Sequence, residues 1–151
     1  MENKVELIKA TINDSKLLYE WATDKEVRKA SFNTGNFSYE SHCEWLEKQL
    51  NREDCDIFLC KINNNLVGQT RLYYENNQAL INYSIASQYR GKGYAILMIK
   101  EVINYIFSNY PKIDTFVAEV KDNNLPSIKV FEKLEFSEKK VGTIYVFEKN
   151  R

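Results

Sequence analysis

A chain of 151 residues with 21 basic and 21 acidic side chains and one histidine carries no formal net charge. No long-range field therefore draws it to nucleic acid or to an anionic membrane, and any anion site must be built locally. The length suits a single domain, residues 1–151, able to bury roughly two-thirds of the surface that its unfolded chain exposes.

No run approaches the roughly 20 apolar residues of a membrane span, and Met1 to Lys16 lacks the apolar centre of a signal peptide, so a cytoplasmic protein is expected. Cys43, Cys55 and Cys60 are odd in number and lack Cys-x-x-Cys spacing, which reads as reduced packing thiols and no metal site.

Val5, Leu7 and Ile8 open the chain as a first strand. Asp14 or Ser15 caps a short helix carrying Leu17, Leu18 and Trp21, and Asp24 caps a second turn of helix containing Val27 and Arg28. After the loop Asn33-Thr34-Gly35-Asn36, Ser38 caps a helix from Tyr39 to about Leu50. On it, His42 shares one side with Trp45, Leu46 and Gln49 by helical spacing. His42 is either a ligand-contacting group or a surface residue, and its unperturbed pKa near neutrality makes it a candidate proton carrier.

Ile57–Ile62 and Leu66–Tyr74 read as strands joined by Asn63-Asn64-Asn65, and Glu75-Asn76-Asn77-Gln78 turns into a third strand, Ile81–Ala86. This is an antiparallel meander. The stretch Gln88-Tyr89-Arg90-Gly91-Lys92-Gly93-Tyr94-Ala95 then leads into a helix with Ala95, Met98, Ile99, Val102, Ile106 and Tyr110 at helical intervals. Gly91 and Gly93 can take φ > 0, and the first N–H groups of the helix lack intrahelical partners. With Arg90 and Lys92 beside them, those donors suit a pyrophosphate; the alternative is a plain strand-to-helix turn.

Pro111 ends that helix. Ile113–Val120 reads as a strand reached by a right-handed crossover and hence parallel to the third strand of the meander. Asn124 caps a helix with Pro126 in its first turn, and Phe136–Val141 and Thr143–Glu148, split by Gly142, close the chain as a hairpin. The fold class is α/β with one mixed sheet.

Two motifs carry a family resemblance. Arg90-Gly91-Lys92-Gly93-Tyr94-Ala95 resembles the Gln/Arg-x-x-Gly-x-Gly/Ala signature of the GNAT superfamily of acyl-CoA-dependent N-acetyltransferases, and Gln88 to Gly93 fits it two residues out of phase. The stretch Glu119 to Phe136 resembles the family's strand, loop and helix, Asn-x-x-Ala/Ser-x-x-x-Tyr-Glu-Lys-Leu-Gly-Phe. The resemblance implies a mixed, mostly antiparallel sheet of about seven strands with a central β-α-β crossover and helices on both faces. It also implies an acetyl-CoA-dependent N-acetyltransferase, with a non-catalytic acyl-CoA-binding module as the alternative.

Carried onto this sequence, the resemblance places the pantetheine arm of acetyl-CoA against the backbone of Tyr83, Ser84 and Ile85, with Asn124 in contact. It places the pyrophosphate on Arg90, Gly91, Lys92, Gly93, Tyr94 and Ala95, and the oxyanion donor near Ile85. Glu119 stands where ribosomal-protein alanine acetyltransferases of the family carry a catalytic glutamate, five residues before the motif's Asn; a strand-edge charge is the alternative, and His42 is the competing base.

Phe131 replaces the tyrosine that in many relatives protonates the departing thiolate, leaving water, Tyr83 or Tyr145 as donors. Glu135 stands in place of the motif's glycine. Trp21 to Arg28 with His42-x-x-Trp45 is loosely similar to enzymes acetylating the 4-amino group of nucleotide-linked aminosugars in pseudaminic-acid-type pathways. Comparable patterns occur in protein N-terminal and small-amine acetyltransferases. On this reading Arg28 and His42 hold the acceptor's diphosphate; otherwise Arg28 pairs with a nearby carboxylate. Exposed strand edges leave a homodimer open.

Overall fold

Two Asn-Asn pairs set the register of the meander. Asn63 and Asn64 have φ of 53° and 69°, and Asn76 and Asn77 have 50° and 65°. Positive φ at both central residues is the type I′ hairpin turn, whose twist matches that of the flanking strands, and asparagine tolerates it better than most residues. The first loop is therefore two residues rather than three, and Asn65 already belongs to a strand.

A computed structural model describes residues 2–151; Met1, at the head of the stretch read for a signal peptide, lies outside them. The strands are β1 (Val5–Lys9), β2 (Cys55–Ile62), β3 (Asn65–Glu75), β4 (Gln78–Ile85), β5 (Thr115–Lys121), β6 (Ser137–Val141) and β7 (Ile144–Asn150). The helices are α1 (Ser15–Ala22), α2 (Lys25–Ala30), α3 (Tyr39–Leu50), α4 (Tyr94–Asn109) and α5 (Leu125–Lys133). One seven-stranded sheet runs β1-β2-β3-β4-β5-β7-β6, antiparallel except for β4 against β5, which α4 connects.

Three predicted caps act as read. Asp24 Oδ1 accepts from the N–H groups of Glu26 and Val27 at 3.0 and 3.3 Å, Ser38 Oγ from Ser41 at 3.1 Å, and Asn124 Oδ1 from Ser127 at 3.4 Å. The start of α1 differs. Asp14 precedes it without a side-chain cap bond; Thr11 Oγ1 accepts from Asn13 N–H, and Asp14 reaches back to the Thr11 N–H at 2.8 Å, capping a short 3-10 turn ahead of the helix.

Alternation along the strands separates two cores. On one face α4 and α5 cover Phe58, Leu72, Ile81, Phe116 and Phe147 with Ile99, Val102, Ile106, Ile128 and Phe131. On the other, α1 and α3 bring Leu18 and Leu46 onto Ile57 and Leu59. Each fully buried aliphatic or Phe side chain contributes about 1.5–3 kcal/mol, so the faces together hold the sheet rigid beneath the site.

Asp56 knots the far end: its carboxylate accepts from the Tyr74 and Tyr110 hydroxyls at 2.7 and 2.6 Å and from Lys9 at 3.1 Å. The three cysteines are free, and burial pushes the Cys60 thiol up to about 12, which keeps it an inert packing group.

Candidate functional site

The β4–β5 pairing stops early. Gln78, Ala79 and Leu80 pair with Thr115, Phe116 and Val117, and beyond Leu80 the two strands diverge. The fork opens into a cleft of about 1110 Å³ that runs between the α1 to α3 side and the start of α4. Its walls include Tyr83, Ser84 and Ile85 from β4, Glu119 from β5, and Asn124, Ser127 and Phe131 from the last loop and helix.

Ladder alternation decides which main-chain groups face the fork. The Ala86 N–H bonds Val67 O at 2.8 Å, and Gly68 stands opposite Ile85. In an antiparallel ladder the bonded pairs alternate, so Tyr83 and Ile85 turn their N–H and C=O away from β3 toward the gap, while Ser84 spends its own on Gln69. Of the three predicted backbone contacts, both groups of Tyr83 and the N–H of Ile85 are thereby free among the described residues, while Ile85 O accepts from Arg90 Nε at 3.0 Å. Gly68 makes the close approach that this needs: a Cβ there would lie 2.4 Å from Ser84 O.

At the fork's mouth, Gly91 and Gly93 both have φ of 77°, with no atom within 4 Å of where a Cβ would stand. Gly93 is the N-cap of α4 and provides no side-chain cap. Among the described residues, the main-chain N–H groups from Gly91 to Ile96 have no hydrogen-bond partner. Six consecutive free donors at a helix N-terminus form an anion cradle. Tyr94 and Ala95 line it, whereas Lys92 is exposed and stands outside the cleft wall.

Arg90 does not reach outward as expected. Its Nε donates to Ile85 O at 3.0 Å and its Nη2 to Asp24 Oδ1 at 2.8 Å, so it braces the loop against β4 and the N-cap of α2. Burial raises the Asp24 pKa, but the Arg90 hydrogen bond and the two capped N–H groups outweigh it and hold the carboxyl below its ordinary value.

Arg28 is similarly engaged. Nε donates to Ala22 O at 2.7 Å, Nη1 to Asn33 O and Gly35 O at 2.9 and 3.3 Å, and Nη2 to Ser31 Oγ at 3.2 Å. Four of its five N–H groups are spent, and no carboxylate among the described residues pairs with it. The predicted bidentate grip on a phosphate is therefore not available, although the residue lines the cleft and could offer one further bond.

His42 is no surface residue: it is 4% exposed, set among Tyr19, Phe37 and Trp45 at ring distances of 5.4, 6.0 and 5.7 Å. Its buried Nε2 has no hydrogen-bond partner among the described residues. Burial lowers its pKa; a hydrogen bond at the Ser15 backbone opposes this, and the Arg71 charge adds to it, leaving a neutral ring at pH 7. Glu119 is exposed on the face that β5 turns toward the same cleft, and its carboxylate has no ion pair among the described residues.

Phe131 is 1% exposed, stacked on Phe147 at 5.3 Å and edge-on to Tyr83 at 5.9 Å. Tyr83 lines the cleft and donates to Ser127 Oγ at 2.9 Å; Tyr145 is not part of the wall. Of the two tyrosines considered as proton donors, Tyr83 alone stands at the site. Burial raises its phenol pKa, and the Ser127 bond only partly opposes that.

Sequence reasoning missed Arg71. It lies in mid-β3, with its guanidinium 5.0 Å from the Trp45 ring and 5.8 Å from that of Tyr73. Only the i, i+2 alternation with Gln69 and Tyr73 could have signalled its face.

A forked mixed sheet with a cradle of free amides at its crossover helix defines an α/β protein whose cleft can hold an extended ligand with an anionic end. Residues 4–137 match the family described as acetyltransferase (GNAT) domain. The chain belongs to the GNAT acetyltransferase family.

It is 34% identical over 98 residues to the SPbeta prophage-derived uncharacterized N-acetyltransferase YokL of Bacillus subtilis (strain 168), covering 62% of this chain and 54% of that protein. The match thus spans about half the length of that relative. It is 28% identical over 160 residues to the uncharacterized N-acetyltransferase p20 of Bacillus licheniformis, covering 97% of this chain and 85% of that one. Among solved structures, the spermidine N-acetyltransferase from Vibrio cholerae in complex with CoA and spermine superposes with a TM-score of 0.86 at 17% identity, over 97% and 95% of the two chains.

Proposed function

We propose that this chain, acting as a single domain, transfers an acetyl group from acetyl-CoA to a primary amine by direct attack in a ternary complex. The observation that carries the reading is the run of unbonded N–H groups from Gly91 to Ile96 beside a forked β4–β5 edge. A pyrophosphate fits that cradle because its charge meets both free donors and the positive end of a 16-residue helix. The open main-chain groups of Tyr83 and the Ile85 N–H fit an amide-bearing arm, and Asn124 flanks it.

When bound, acetyl-CoA supplies an acetyl group already activated as a thioester. The protein's residues do the rest. The Ile85 N–H, turned into the fork, is the donor placed to meet developing negative charge, and its fixed direction costs no reorganisation. An ammonium has no lone pair, so a base must hold the amine's proton: Glu119 faces the cleft with a free carboxylate, and His42 offers a neutral Nε2 from the opposite wall.

Phe131 provides no proton. A thiolate with a pKa near 8.5 leaves without an acid, and the Tyr83 proton is already donated to Ser127 Oγ, whose own hydroxyl proton is the one that can reach it.

The acceptor favoured is a nucleotide-linked aminosugar. Trp21 lines the cleft on the α1 to α3 side, and an indole face can stack on the apolar side of a sugar ring. A homodimer would pair along the exposed β6 edge, where Lys139 and Lys140 oppose association; sedimentation at increasing concentration decides it.

Incubation with acetyl-CoA and a panel of alkylamines, peptide N-termini and aminosugars should release free CoA thiol in an amine-dependent manner. Tight acetyl-CoA binding with no thiol release from any amine would instead support a non-catalytic acyl-CoA-binding module, the reading that the buried Phe131 favours.

A further inference from the structure

The chain contains five arginines, and four are bonded within the protein. Arg28 holds three carbonyls and a serine, Arg52 pairs with Asp54, Arg90 with Asp24, and Arg151 with the carbonyls of Phe107, Tyr110 and Ile113. Arg71 has no hydrogen bond and no ion pair among the described residues. Its Nε is sealed and unpartnered, while its two terminal amino groups are neither bonded nor sealed. Arg71 lines the cleft from β3, and its guanidinium carbon lies over the Trp45 ring, 5.0 Å from the centroid, a cation–π contact that positions it.

Leaving a half-buried cation without a counter-charge is costly, and proteins do so where a ligand supplies it. The cleft offers no substitute. Its lining carboxylates are Glu26 and Glu119, and neither is within ion-pair distance of Arg71. The Arg71 charge acts on Arg28 and on a neutral His42, a local positive excess in a chain of zero net charge. A polycation of the kind bound by the Vibrio cholerae relative would be repelled here.

We propose that Arg71 selects the acceptor by reading an anion on it: the acceptor is a primary amine that also bears a carboxylate or phosphate group, gripped end-on by Nη1 and Nη2 of a guanidinium positioned by Trp45. This rests on the acetyltransferase reading of the same cleft. It differs from the expectation for Arg28, whose donors are already committed. A planar fork held against an aromatic face recognises a two-oxygen anion with defined orientation, which a lysine cannot reproduce.

Two matched pairs of primary amines test it: butylamine against 4-aminobutyrate, and glucosamine against glucosamine 6-phosphate. Binding to the CoA-saturated protein is measured by calorimetry and acetyl transfer by thiol release. The wild type should favour the anionic member of at least one pair about tenfold or more, and the pair with the larger ratio separates carboxylate from phosphate recognition.

Arg71→Gln and Arg71→Met should abolish that ratio without lowering the melting temperature, and Arg71→Lys should keep only part of it. Equal binding within both pairs, or a ratio that survives in the Gln and Met variants, overturns the assignment. An anion preference without transfer to any amine would remove the proposed activity and leave Arg71 standing; transfer with no preference would do the reverse.

Discussion

Replacing Gly68 with alanine should distort the site from the inside of the sheet. An added Cβ would stand 2.4 Å from Ser84 O, 3.0 Å from Ile85 Cδ1 and 3.3 Å from Ile85 Cα. Carbon and oxygen tolerate about 3.3 Å or more, so β4 must retreat by about 1 Å at Ser84. Both flanking links, Ala86 N–H to Val67 O and the Gln69 to Ser84 pair, lengthen with it.

Overpacking of this kind costs about 1–3 kcal/mol, which for a chain of this size lowers the melting temperature by about 2–12 °C. The larger effect falls on chemistry. The Ile85 N–H shifts by the same margin, and a misplacement of about 1 Å can cost about 100-fold in rate. Thermal melting and thiol release, measured together, check both parts. A Gly68→Ala protein that melts within about 1 °C of wild type and turns over normally would refute the reasoning that this glycine sets the height of β4.

Glu119→Gln should lower kcat about 100-fold or more with acetyl-CoA affinity retained; an unaltered pH–rate profile would remove Glu119 as the base and leave His42. Glu135 has φ of 63° at the end of α5, in a Schellman turn closed by Phe136 N–H to Phe131 O at 3.1 Å. Glu135→Gly should relieve that left-handed residue and stabilise the protein by about 0.5–1 kcal/mol in chemical denaturation.

Because burial depresses the His42 pKa below its ordinary 6.5, its contribution to stability is present above that pH and is lost as pH falls toward the folded value. His42→Phe should flatten the decline of unfolding free energy below pH 6.5; an identical decline in both proteins would place the acid sensitivity elsewhere.

What was legible in the sequence follows local rules. Asp24, Ser38 and Asn124 cap because their side chains need only the next turn of backbone, and the Arg90 to Ala95 motif implies its loop through two glycines at φ of 77°. What was missed depends on distant partners. The Arg90 side chain turns back to Asp24, 66 residues earlier, so a side chain read as reaching for phosphate is a brace. Arg28 closes onto carbonyls of a loop with no periodicity to betray it.

The fork is set by where β4 and β5 stop pairing, and the close approach at Gly68 by a strand 16 residues away in sequence, neither of which strand propensity encodes. Arg71 is set apart only in three dimensions, where the other four arginines have partners and it has none among the described residues.

Titrating 15N-labelled protein with CoA and following the amide resonances of Gly91, Gly93, Tyr94, Ala95 and Ile96 tests the anion cradle most directly. These N–H groups, unbonded in the free chain, should show the largest shifts and gain protection from exchange on saturation. Binding of CoA that leaves all five unmoved would contradict a pyrophosphate seat at the start of α4, and with it the proposed orientation of the acetyl donor in the fork.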